Sequence, residues 1–238
     1  MYKKLGLIGG IGYLSTLEYY KKINECFQNA ISPTSPTLES PEIFIDCLNL
    51  AKAYSFLENT NFENFTSLFI EAVKRCYVSG ADFVAIAANT AHIVYDEICS
   101  VSPIPVIGIV DETCAYAQKK GYQNLVILGT KFTMKSGMYN KKCEQYGMNC
   151  VLPNEDEIEI INNIIFPNLE SGLLLSKDKK KIIDITNNLI MKCSSDALVL
   201  GCTELSLAIS QDDINVPLID TAKIHIESIV KEILQIKD

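Results

Sequence analysis

Two halves of this chain match each other at nearly fixed distances, and no other feature constrains the fold as tightly. Leu5, Leu7, Ile8, Gly9, Tyr19, Lys21 and Lys22 face Leu125, Ile127, Leu128, Gly129, Tyr139, Lys141 and Lys142 at a constant offset of 120 (129 − 9). Asp82-Phe-Val-Ala-Ile-Ala-Ala88-Asn89 faces Asp196-Ala-Leu-Val-Leu-Gly-Cys202-Thr203 at 114 (196 − 82). Pro105-Val-Ile faces Pro217-Leu-Ile at 112 (217 − 105). Shrinking offsets are what a duplicated unit leaves when its second copy has lost loop residues.

Within each copy, short apolar runs alternate with stretches of helical period, which predicts parallel strands joined by right-handed crossovers. Strands are expected in 4–12, ending in a glycine-rich loop, at 42–48, 81–87 and 104–108, and again at 124–128, 148–152, 197–200 and 216–219. Ser15 reads as the N-cap of the first helix and Asn89 as the cap of a helix over 90–99. Long helices are expected over 61–79 and 176–193, and a loop over 31–41. The fold class is therefore α/β: two pseudo-symmetric α/β lobes with mainly parallel sheets and a cleft between them. Residues 1–109 with 220–238 form the N-terminal lobe, and 110–219 the C-terminal lobe.

The charge balance narrows the partners. A net charge of −8 argues against nucleic acid and anionic lipid, and no apolar run reaches the length of a membrane span. The start Met1-Tyr2-Lys3-Lys4 leads into a strand-like run and is not a secretion signal, so a cytoplasmic protein is expected. Nine cysteines are scattered without CxxC pairs, which speaks against a disulfide framework or a metal centre. Most read as small core residues in a reducing compartment.

One cysteine stands apart. In Leu198-Val-Leu-Gly-Cys-Thr-Glu204 a buried strand stops at Gly-Cys, and a helix is expected straight after. Backbone N–H groups and a helix dipole there would favour the Cys202 thiolate. In parallel α/β sheets, ligands bind beyond the carboxyl ends of the strands. The repeat makes Ala88 the counterpart of Cys202, flanked by Asn89-Thr90 and Thr203-Glu204, with Gly9-Gly10 and Gly129-Thr130 after the first strand of each copy. Small residues and free N–H groups suit a carboxylate. Gly10-Ile-Gly12-Tyr-Leu-Ser15 only approximates a dinucleotide fingerprint: its third glycine is Ser15, and Asp46 comes too late for a ribose partner.

With these motifs in hand, the chain resembles the aspartate/glutamate racemase superfamily, and within it the aspartate racemase branch. The resemblance rests on Gly-Leu-Ile-Gly-Gly near the start, Ala-Asn-Thr-Ala-His (88–92), Leu-Gly-Thr-Lys-Phe-Thr-Met (128–134), Asn-Asn-Ile-Ile-Phe (162–166) and Gly-Cys-Thr-Glu (201–204). It implies cofactor-independent inversion at the α-carbon of an amino acid, with a proton-carrying residue on each face. It implies Cys202 as one carrier. Asn89, Thr90, Thr130 and Thr203, with the backbone at Gly10, would hold the α-carboxylate and amino group. Lys52, in the loop expected after the second strand, is the nearby base for a side-chain carboxylate. No metal or cofactor is implied, the partner is a small amino acid or carboxylate, and a homodimer is the assembly to test.

One departure matters. The family's first catalytic residue precedes the Asn-Thr pair, and here that position is Ala88, which cannot ionise. Thr90, His92 and Cys47 are positional candidates for a second proton source. The family also carries a basic residue where this chain has Ser171, and the single arginine, Arg75, falls in a helix. Two rivals to racemisation follow: a one-thiol proton-transfer enzyme of the decarboxylase type, and an inactive binder of a small carboxylate.

Overall fold

The computed structural model describes residues 2–34 and 37–236, so Ser35 and Pro36 of the expected 31–41 loop lie outside the described residues. The chain divides into two compact units, Met1–Ile109 with His225–Asp238, and Val110–Ile224.

In the first unit, β1 (Leu5–Gly9) leads to α1 (Tyr13–Ile31), β2 (Ile43–Cys47), α2 (Leu50–Glu58), α3 (Phe62–Val78) and β3 (Phe83–Ile86). A 3-10 turn at Thr90–Val94, α4 (Tyr95–Val101) and β4 (Val106–Ile107) follow, and α5 (Ile109–Lys119) starts where the chain passes into the second unit. There β5 (Asn124–Gly129), α6 (Lys131–Lys135), α7 (Met138–Gln145), β6 (Asn149–Val151) and α8 (Glu155–Ile165) come in turn. After them come α9 (Ser176–Cys193), β7 (Ala197–Gly201), α10 (Leu205–Ala208), β8 (Leu218–Asp220) and α11 (Thr221–Leu234).

Each unit holds a four-stranded sheet, ordered β2-β1-β3-β4 in one and β6-β5-β7-β8 in the other, with every pairing parallel. The two orders are the same once the copies are aligned, as a duplication requires. Central strands β1, β3 and β7 are buried at every position, which is why they read as unbroken apolar runs without alternation. The repeat extends to polar detail. Asp82 Oδ2 accepts from the Lys4 N–H at 2.7 Å, and its counterpart Asp196 accepts from the Asn124 N–H at 2.8 Å, tying the start of one central strand to the next. Tyr19 and Tyr139 are both core residues. Among the described residues, no helix is long and apolar enough to cross a membrane.

Local departures have physical causes. Ser15 does not cap α1. Gly12 holds that place, and the Ser15 hydroxyl instead donates to the Ala87 carbonyl at 2.9 Å, fastening α1 to the end of β3. Asn89 is already in a helical conformation without a side-chain capping bond, and α4 begins only at Tyr95. Lys52 is on helix α2, not in a loop: the Asn49 side chain accepts from the Lys52 N–H and starts the helix, which buries Ala53 and Leu57. After Thr130 the chain forms two helices, with Gly137 at a φ of 76° separating α6 from α7.

Gly10 is a point of close backbone approach in the first unit. Its φ is +81°, and a Cβ there would lie 2.2 Å from the Leu48 carbonyl oxygen and 2.6 Å from the Leu48 nitrogen. Strain and collision with backbone act together, so Gly10→Ala is expected to destabilise the protein by about 2–4 kcal/mol. Urea unfolding measures this, and a loss under about 0.5 kcal/mol, the range of an ordinary surface substitution, would contradict it.

Candidate active site

In the second unit, β5 and β7 are neighbours with Gly129 paired to Gly201, so the residues following each strand emerge at one end of the sheet. Thr130 follows β5 and caps α6, its hydroxyl oxygen accepting from the Thr133 N–H at 3.2 Å. Asn162 of α8 accepts from the Lys131 N–H at 3.0 Å, pinning the same turn. Beyond β7 come Cys202, Thr203 and Glu204. Cys202 is 6% exposed and closes the core that α8 and α9 build on this sheet.

A buried acid–thiol cluster forms here. The Cys202 thiol donates to Glu204 Oε2 at 3.0 Å, and the Thr203 hydroxyl donates to the same oxygen at 2.7 Å. Glu170, from the 3-10 turn Leu169–Ser171, completes the group: one ligand-type atom from each of Glu170, Cys202 and Glu204 lies within 4.8 Å of the others. Three donors fall short of the four of a closed structural zinc site, and the two hydrogen bonds here bring the Cys202 and Thr203 protons to one oxygen of Glu204. The cluster therefore reads as a proton-sharing group.

Its electrostatics correct the expected thiolate. Burial, followed by the charges of Glu204 and Glu170, holds the Cys202 pKa well above the ordinary thiol value. The helix meant to favour the anion is α10, only four residues long, so little dipole opposes those effects. Burial and Glu204 likewise push the Glu170 carboxyl up to about 8. At neutral pH the thiol keeps its proton, and Glu170 holds one too.

In the first unit, Cys47 ends β2, paired to Gly9, and Gly10 and Ala88-Asn89-Thr90 follow the carboxyl ends of the adjacent β1 and β3. Asn89 is buried, Thr90 half-buried and Cys47 exposed. The Gly10 N–H donates to Thr16 Oγ1 at 2.8 Å. Lys52 is exposed, its ammonium 6.0 Å from the Phe56 ring centre. Arg75 on α3 donates to Asp46 Oδ2 at 2.6 Å.

His92 is structural. Its Nε2 accepts from the Ile109 N–H at 3.2 Å, which puts the proton on Nδ1 for donation to the Ala88 carbonyl at 2.9 Å. The two ring nitrogens thus hold backbone at Ala88 and at Ile109, leaving the imidazole a poor proton source. His225 on α11 is fixed in the same manner: Nε2–H donates to the Ile107 carbonyl at 3.0 Å, and Nδ1 accepts from the Tyr19 hydroxyl at 2.9 Å. Burial, then the nearby His92, lowers the His225 pKa to about 3. The unfolded chain takes up a proton near pH ~6.5 and the folded one does not, so stability is lost as pH falls from there toward 3. The expected loss is about 1.4 kcal/mol per pH unit beyond the contribution of the carboxylates. Urea unfolding of the chain against His225→Gln measures it: the variant should lose that part of the acid dependence, and equal pH slopes would refute the assignment.

Sequence reasoning passed over Glu170. The resemblance draws attention to a base at Ser171, and the glutamate one position earlier carries no local signal that its turn brings it to Cys202.

The family model described as Asp/Glu/Hydantoin racemase matches residues 8–229. The broad specificity amino-acid racemase RacX of Bacillus subtilis (strain 168) is 22% identical over 232 residues, which are 97% of this chain and 98% of that protein. The crystal structure of an aspartate racemase homologue from Pyrococcus horikoshii OT3 is 34% identical, with a TM-score of 0.80 over 96% of this chain and 98% of that one. Picrophilus torridus aspartate racemase, 24% identical, has the same fold at a TM-score of 0.73 over 96% of this chain and 93% of that one.

Proposed function

The chain belongs to the Asp/Glu/Hydantoin racemase family, and from that premise we propose that it is a cofactor-independent amino-acid racemase in which Cys202 carries the proton on one face of the α-carbon. The observation that carries this reading is the 3.0 Å hydrogen bond from the Cys202 thiol to Glu204 at the end of β7. As an acid, the protonated thiol gives its proton to an α-carbanion. As a base, it first passes that proton to Glu204, and the thiolate then takes the α-hydrogen. Buried and nearly dry, the pair exchanges a proton without reorganising solvent.

The substrate's α-carboxylate and amino group fall, in this reading, to Asn89, Thr90, Thr130 and Thr203 with the Gly10 backbone, and Lys52 to a side-chain carboxylate. A thiol near its ordinary pKa of ~8.5 is a poor match to an α-proton many units less acidic. Those donors must therefore stabilise the carbanion by several kcal/mol, about what oxyanion holes supply.

A second reading is favoured by Ala88. A chain with one ionisable carrier can exchange an α-proton, or protonate a carbanion left by decarboxylation, on one face only. The two readings separate in deuterium oxide. With a broad amino-acid panel, loss of the α-hydrogen is followed by NMR and enantiomer composition by chiral chromatography. Exchange with inversion is the expected result. Exchange with retention favours the one-thiol enzyme, and stabilisation by ligand without any exchange leaves a carboxylate binder.

A further inference from the structure

The second unit holds another group of thiols, away from Cys202. Cys114 on α5 and Cys143 on α7 are fully buried with their sulfurs 3.9 Å apart. Cys150, half-buried on the edge strand β6 against which α7 packs, is the third thiol to bear on Cys143. Three elements thus bring three thiols together with Cys143 in the middle, and neither Cys114 nor Cys143 belongs to the core that contains Cys202. Ordinary packing needs only small apolar volume at such positions, and a thiol–thiol contact within 3.9 Å with a third cysteine on the adjoining strand goes beyond that need.

We propose that Cys143 is the centre of a peroxide-responsive thiol site that closes a disulfide to Cys114, with Cys150 as its alternative partner. Cys143 lies between the other two, 3.9 Å from the Cys114 sulfur and on the helix that packs against the strand of Cys150, so neighbouring thiols can donate to its thiolate and the central sulfur is the nucleophile of the three. Peroxide reaches it when the periphery opens: α7 has eight residues and β6 three, the short outer elements of this sheet. The Cys143 thiolate attacks one peroxide oxygen, the O–O bond breaks, and hydroxide leaves to become water, giving a sulfenic acid. The Cys114 sulfur then attacks the sulfenic sulfur; the S–S bond forms, the S–O bond breaks, and the oxygen leaves as a second water. Two thiols lose two electrons and two hydrogens in total, and one peroxide becomes two waters. The sulfurs need to close by about 2 Å, within reach of side-chain rotation. The product ties α5 to α7.

The test treats the folded full chain with hydrogen peroxide, alkylates the remaining thiols and maps unreduced peptides by mass spectrometry, with circular dichroism as the check on folding. The expected result is a Cys114–Cys143 link two hydrogens lighter than the free pair, with alkylation lost at both positions. Cys114→Ala should move the link to Cys143–Cys150, and Cys143→Ala should leave Cys114 and Cys150 unlinked. No link among the three thiols in folded protein would overturn the proposal, as would a link from Cys143 to any other cysteine. A Cys114–Cys150 link surviving Cys143→Ala would deny Cys143 its central role.

Discussion

Replacing Cys202 by alanine is expected to lower solvent-deuterium exchange at the substrate α-carbon by about 10²–10⁴-fold, the usual contribution of a positioned acid–base group. The expectation rests on how few alternatives surround that sulfur. Thr203 and Glu204 lie beside it, but Thr203 already gives its proton to Glu204, and Glu204 works by relaying the thiol's own proton. Glu170 holds a proton at neutral pH, and its link to the reacting carbon would run through the same cluster. Removing the sulfur leaves the carboxylates without the atom that meets carbon. Folding should survive, because the side chain is small and sits at the rim of its core, where truncation costs about 1 kcal/mol or a little more. Cys202→Ser is the sharper companion. It keeps a hydroxyl donor for Glu204 but offers a far weaker acid, so exchange should fall nearly as much while thermal stability changes less. Exchange within about threefold of the parent in both variants would mean that another group carries the proton, since a lost acid–base group costs much more than that.

Much of this architecture was legible in the chain because the central strands carry it. Strands buried on both faces must be apolar throughout, so β1, β3, β5 and β7 announce themselves, and their repeat offsets predict the shared strand order. Ends of elements were less legible. Ser15 and Asn89 have the right chemistry for caps, but Ser15 found a better acceptor in the Ala87 carbonyl, a partner 72 residues away that no local rule can supply. Helix α2 was missed because its short stretch follows Asn49 directly after an edge strand and passes for a loop. The site shows the same division. Which residues follow the strand ends was readable. Their charge state was not: the Cys202 proton is held by burial and by the Glu204 carboxylate, and the second acid of the cluster, Glu170, arrives from a distant turn. The three-thiol file likewise exists only once α5, α7 and β6 are packed.

Installing the missing ionisable group provides the complementary experiment. On the one-thiol reading, Ala88→Cys is expected to raise the rate of enantiomer inversion by about 10²-fold or more while leaving exchange on the Cys202 face within a few-fold of the parent; on the racemase reading it leaves the inversion rate nearly unchanged. The position can take the change. Ala88 follows β3 as Cys202 follows β7, it is 7% exposed, and its link to His92 is made by the backbone carbonyl, which the substitution preserves. One added sulfur in a tight place costs about 1–3 kcal/mol by overpacking, a loss that the unfolding midpoint will register separately from activity. The kinetic logic distinguishes the two readings of this chain. If the parent exchanges the α-hydrogen with retention, a thiol at Ala88 supplies the second face and converts exchange into inversion. If the parent already inverts, some other group is delivering the second proton, and the new thiol should then add little, because proton delivery on that face no longer limits the rate. A gain in inversion therefore assigns the missing function to Ala88. An unchanged inversion rate in a stable, ligand-binding variant moves the search to Thr90 and Cys47, the remaining ionisable or hydroxyl-bearing side chains at that end of the first sheet considered as proton sources.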